Sequence, residues 1–125
     1  MSNAEIVPGF DDEVCDYLEI KLQKTDSDNV GLKLLLTGSI DAYNSECFKR
    51  RVLKVIAAGF VRLSFMMGGV DIVSSTGVAT LLSLQRAVVG HGGEIVMVNT
   101  PSRIKGVFEL LCLDSFFRCV ETDDP

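Results

Sequence analysis

The chain has no tryptophan, three prolines and a single histidine in 125 residues. With His91 alone, nucleophilic catalysis of the serine or cysteine type has one candidate base, and that base lies in a glycine turn, Gly90–Gly93. The four cysteines (Cys15, Cys47, Cys112, Cys119) form no C-x-x-C pair, so a zinc-ligand pattern is missing. They are expected as small apolar groups in a reducing compartment. No apolar run approaches the roughly 20 residues of a membrane helix. The first twenty residues hold no lysine or arginine and no long apolar stretch, so no signal peptide is expected and the expected location is cytoplasmic. Basic charge is also short overall. A net charge of −5 argues against nucleic acid and against an anionic membrane as partners.

What is present is a core. Apolar residues make up 47% of the chain, enough for one domain that needs neither disulfide nor metal to fold. Residues 1–12 read as a flexible acidic arm and residues 13–122 as the folded domain, with a short acidic fray over 121–125. Alternation over 15–23 predicts a strand, with Leu18, Ile20 and Leu22 on one face. Residues 25–29 carry turn chemistry, and 30–37 read as a second strand pairing back on the first. Asp41 is a candidate N-cap for a helix over 42–58, whose stripe is Phe48, Val52, Val55 and Ile56. Lys49, Arg50, Arg51 and Lys54 take the other side of that helix and read as a solvated basic face. Strands follow at 60–67 and 94–99, separated by a helix that ends near Val89. Thr100 and Pro101 read as cap and first residue of another helix, which Asp114 closes, and 116–120 as a last strand. The order is ββαβαβαβ. This implies an α/β domain: a mixed, mostly parallel sheet with an N-terminal antiparallel edge, covered by helices.

The segment between the third strand and its helix is the least ordinary part of the chain. Ser74, Ser75 and Thr76 are three adjacent hydroxyl residues followed by Gly77. A helix needs one N-cap hydroxyl, worth about 1 kcal/mol, which leaves two without a structural task. A helix N-terminus also stabilises added negative charge. The residues therefore fit either a plain cap or a modified, partner-contacting serine. Enzyme readings find no support. Val73 stands where a G-x-S-x-G elbow needs glycine, and no phosphate loop is present.

Four segments together resemble the STAS-domain family of anti-sigma factor antagonists. Leu36-Thr37-Gly38-Ser39-Ile40-Asp41 is similar to the family's L-x-G-x-[LI]-D segment. Gly69 to Val78 is similar to its G-V-x-[FY]-[IM]-D-S-[SA]-G-[LI] signature, Gly92 to Val98 to its G-G-x-[LM]-x-[LV] strand, and Pro101 to Asp114 to its closing helix. The resemblance implies a non-catalytic STAS domain without cofactors. Such a domain binds an anti-sigma factor that is also a serine kinase, is released by phosphorylation, and is reset by a metal-dependent phosphatase. Carried over by position, the acceptor is Ser75, and Asp41, Ser74, Thr76 and Gly77 form the partner-binding surroundings. Two positions depart from the pattern. Ser74 replaces the signature aspartate, and Met66-Met67-Gly68 runs through the place of an acidic strand end. The alternative is a STAS module that is never phosphorylated, serving as a scaffold in a regulatory complex or as a lipid-transport accessory. A homodimer through apolar residues near Phe116 and Phe117 stays open.

Overall fold

The structure is a computed structural model that describes residues 1–25 and 29–122. The turn expected over 25–29 therefore falls largely outside the described residues, as does most of the acidic end after Thr122. Two helical pieces, α1 (Asn3–Ile6) and a 3-10 turn (Phe10–Asp12), precede β1 (Leu18–Lys24) and β2 (Gly31–Ile40). Then come α2 (Ser45–Ala57), β3 (Arg62–Val73), α3 (Ser75–Gly90), β4 (Glu94–Val98), α4 (Ser102–Leu110) and β5 (Arg118–Val120). From β1 onward this is the expected ββαβαβαβ order. The five strands lie side by side in sequence order, with β1 antiparallel to β2 and the rest parallel.

That sequential order decides which face is covered. Each parallel crossover takes the same right-handed path, so successive helices land on one side of the sheet. Leu32, Leu34, Leu36, Leu63, Phe65, Ile95 and Met97 point to that side and join the buried residues of α2, α3 and α4 in one core. On the other face, Met66, Val96 and Val98 pack with Leu35 and Val120, and this cluster contains strand residues only. The helices thus cover one face rather than both.

The first twelve residues, expected as a loose arm, are docked. Ile6, Val7 and Phe10 are buried in the main core. Asn3 hydrogen-bonds across β1, donating to the Ile20 carbonyl and accepting from the Leu22 N–H, both at 2.8 Å. Arg51, buried on α2, donates to the Phe10 carbonyl at 3.0 Å and to Asp11 Oδ1 at 2.8 Å, and its guanidinium lies 4.3 Å from the Phe10 ring centroid. The acidic content that suggests a solvated arm provides the counter-charge for this arginine. Arg51 thus leaves the solvated basic face on which its helical position alone would put it.

Strand β3 runs six residues further than its expected end at Met67. It passes through Gly68 and Gly69 because two bulges let β3 hold more residues than β2 beside it. Leu35 and Thr37 pair with Met66 and Gly69, while Gly38 and Ser39 pair with Val70 and Ile72. Bulges of this kind bend a strand and re-aim its end. They bring Val73 opposite Ile40, so the start of α3 meets the end of β2.

That meeting leaves no room for a side chain. A Cβ on Gly77 would lie 2.3 Å from the Ile40 carbonyl oxygen. Ser74 N–H donates to the same carbonyl at 3.0 Å. Gly38, at φ +121°, is fixed by a comparable approach to the Tyr17 carbonyl, which accepts from Ser39 N–H at 2.9 Å.

Gly77→Ala poses two opposed effects. Helix propensity favours alanine by up to about 1 kcal/mol, whereas overpacking against backbone costs about 2–3 kcal/mol. The clash should win, and chemical denaturation should show a net loss of stability. Arg51→Ala should cost about 2–3 kcal/mol, because it leaves the Phe10 carbonyl without its donor and removes the ring contact. Limited proteolysis should then cut within residues 1–12, where the parent chain should resist cleavage.

Candidate functional site

The parallel strands β2, β3 and β4 end on one edge of the sheet, and the residues that follow them form a shared rim. Ligand and partner sites in parallel sheets favour this edge. Ser74 is the N-cap of α3. Its Oγ accepts from Gly77 N–H at 3.2 Å, and its carbonyl accepts from Val78 N–H at 2.8 Å. One of the three hydroxyls is thus the cap. Ser75 is the first residue of the helix and is exposed, as is Thr76. An exposed hydroxyl at that position stands next to free amides and the positive end of the helix. Gly77 is buried, so the expectation that it meets a partner gives way to its packing role against Ile40.

Asp41 does not cap α2. The cap position falls to Asn44, whose side chain makes no cap bond to the helix. Asp41 instead holds the preceding loop. Its Oδ2 accepts from Ser39 Oγ and its Oδ1 from Tyr43 N–H, both at 2.9 Å. Its carbonyl accepts from Ser45 N–H at 2.9 Å and from the Ser45 hydroxyl. Only the first residues after Asp41 form a turn, and this delays the helix to Ser45.

Asn44 is the residue that sequence reasoning missed here. It is buried, accepts from Asp41 N–H at 3.0 Å, and donates to the Asp16 and Ser39 carbonyls at 2.7 and 2.8 Å. One amide thus locks the loop after β2 to the chain that enters β1. The only hint in the sequence is an asparagine three residues after an aspartate, a common turn pairing. On the outside of the same junction, Tyr17 and Tyr43 stack edge to face at 6.1 Å and are 73% and 80% exposed. Ile72, opposite Ser39 at the end of β3, is 57% exposed. Beside it Arg103 of α4 donates to the Asp71 carbonyl, linking the β3 end to the segment after β4.

On that segment the expected cap is displaced by one residue. Pro101 is the N-cap of α4, and its carbonyl accepts from Ile104 and Lys105 N–H at 2.9 and 3.0 Å. Thr100 is buried, and its hydroxyl has no partner among the described residues. The helix ends at Leu110 rather than Asp114. Cys112 adopts φ +57° and Leu113 N–H reaches back to the Phe108 carbonyl at 2.7 Å, a left-handed ending made without glycine.

The rim therefore brings together Ser39, Asp41, Ser74, Ser75, Thr76, Tyr43 and Ile72. It offers hydroxyls, one carboxylate and exposed apolar side chains around a helix start. Among the described residues, no helix is long and apolar enough to cross a membrane.

No curated protein matches the chain in sequence. The fold is shared with solved structures. The anti-sigma factor antagonist SpoIIAA of Bacillus, in its unphosphorylated form, superposes with a TM-score of 0.68 at 16% identity, over 82% of this chain and 89% of that one. An anti-sigma factor antagonist from Mycobacterium paratuberculosis gives 0.73 at 18% identity, over 90% and 92%. Part of the murine anion transporter Slc26a9 gives 0.64 at 20% identity, over 95% of this chain but 22% of the transporter. A family model of the STAS domain matches residues 19–124. With almost the whole folded unit inside that match, the chain belongs to the STAS domain family.

Proposed function

We propose that this chain is an anti-sigma factor antagonist, switched by phosphorylation of Ser75. In its unmodified state it holds a kinase-type anti-sigma factor through the rim of Asp41, Ser74, Ser75 and Thr76. Transfer of a phosphoryl group to Ser75 releases the partner, and a metal-dependent phosphatase restores binding. The observation that carries the reading is the exposure of Ser75 at the first position of α3, while Ser74 takes the cap. Two of the structural relatives support it: SpoIIAA has been solved in both unphosphorylated and phosphorylated forms.

The physical basis is a difference between fold and interface. A phosphoryl group adds about −1.5 to −2 charge. Within the chain, the N-terminus of α3 favours that charge. Within a closed interface the same charge must be desolvated, and a penalty of about 3 kcal/mol weakens binding roughly a hundredfold. Ser74 fits this scheme. A serine can cap the helix as an aspartate would, yet it places no second negative charge beside the phosphate.

Four outcomes follow. Ser75→Glu should weaken binding of the anti-sigma factor by about a hundredfold or more while the melting temperature stays within a few degrees; full binding by this variant would count against the switch. Ser75→Ala should bind as the unmodified chain does and should take up no phosphate from ATP and the kinase. Ser74→Ala should cost about 1 kcal/mol of stability through loss of the cap, measured by denaturant titration. Mass spectrometry after incubation with ATP and the kinase should place one phosphoryl group on Ser75. A chain that binds its partner but is never modified would instead be a constitutive docking module.

A further inference from the structure

A second reactive feature lies behind the rim. Cys15 Sγ and Cys47 Sγ are 2.6 Å apart, and both residues are free thiols. A disulfide bond is about 2.05 Å long, so bonding asks for an approach of roughly half an ångström. The two cysteines are 32 positions apart. One precedes β1 and the other sits in the first turn of α2.

The pair is chemically unequal. Arg51, one turn further along α2, places its Nη1 3.6 Å from Cys15 Sγ, and its side chain is 5% exposed. On the other side, Cys47 faces the Glu13 carboxylate. Burial, and then the hydrogen bond to Cys15, push the Cys47 thiol up to about 12. The cation thus stands beside Cys15 and the carboxylate on the Cys47 side. Cys15 is buried, but it helps line a surface depression of about 430 Å³ together with Val14, Tyr17, Leu18, Glu19 and Thr37. A small oxidant has a route to it.

We propose that Cys15 and Cys47 form a peroxide-responsive disulfide, with Cys15 the attacking and Cys47 the resolving sulfur. The Cys15 thiolate attacks the peroxide O–O bond. An S–O bond forms, and the leaving oxygen takes a proton and departs as water or alcohol. Cys15 is now a sulfenic acid. The Cys47 sulfur then displaces its oxygen, which leaves as water with the Cys47 proton. Two thiols lose two electrons and one peroxide is reduced. The bond ties residues 13–17 to α2 at the junction that Asn44 already bridges, where its donation to the Asp16 carbonyl measures 2.7 Å. Oxidation thus stiffens the base of the Tyr17–Tyr43 pair without asking for a new fold, and it is independent of the Ser75 switch.

The test uses the whole chain and equimolar hydrogen peroxide. Peptide mapping without reductant should find Cys15 linked to Cys47, with the melting temperature raised by about 10 °C and returned by dithiothreitol. In Cys47→Ser, a sulfenic-acid probe such as dimedone should label Cys15; in Cys15→Ser, Cys47 should stay unlabelled. The proposal is overturned if Cys15 and Cys47 stay reduced while Cys112 reacts, or if the probe marks Cys47 in Cys15→Ser.

Discussion

The contact between the first turn of α3 and the end of β2 organises this molecule. The Ile40 carbonyl accepts from Ser74 N–H, and the missing side chain of Gly77 lets the helix backbone come down onto it. Everything at the rim takes its place from that contact. Val73 is drawn opposite Ile40, Ser74 becomes the cap, and Ser75 is left one step along the helix with its face to solvent. A larger residue at position 77 would lift the helix start from the sheet and move all three hydroxyl residues together.

The same contact shows how one site can serve both stability and the signalling role proposed for it. The buried part of the helix start is made of backbone and a glycine, so it carries the fold. The exposed part is made of hydroxyls, so it can change charge with little effect on packing. Helix dipole and free amides stabilise an anion there by about 0.3–1 kcal/mol. An anion trapped in an interface without a partner costs several times more. The interface penalty outweighs the gain at the helix start, so a phosphoryl group placed there would act on association rather than on the fold.

Much of this was legible in the residues. Period-two patterning marked β1, and the apolar stripe of Phe48, Val52, Val55 and Ile56 marked α2, because those signals report burial directly. The hydroxyl run at 74–76 marked the start of α3, where Ser74 is the cap. What stayed hidden depended on contacts distant in sequence. Gly68-Gly69 reads as a loop, yet a bulged pairing between Leu35–Met66 and Thr37–Gly69 carries the strand through it. The acidic content of residues 1–12 reads as solvation, yet Ile6 and Phe10 find a core and Asp11 finds Arg51. Asp41 has the chemistry of a cap, but Ser39 and Tyr43 claim its oxygens first. The ending of α4 at Cys112 carries no glycine to announce it. In each case local propensity was overruled by a tertiary partner that no window of sequence contains.

The central claim is that charge at Ser75 changes what the rim can bind and leaves the domain as it was. An NMR titration of the Ser75-phosphorylated chain tests it most directly, with amide shifts read before and after addition of the anti-sigma factor. The account predicts phosphate-induced shifts confined to residues 39–41 and 71–78, and no further response to the partner. Shifts spread through β1, α2 and β4, or a partner response equal to that of the unmodified chain, would contradict it.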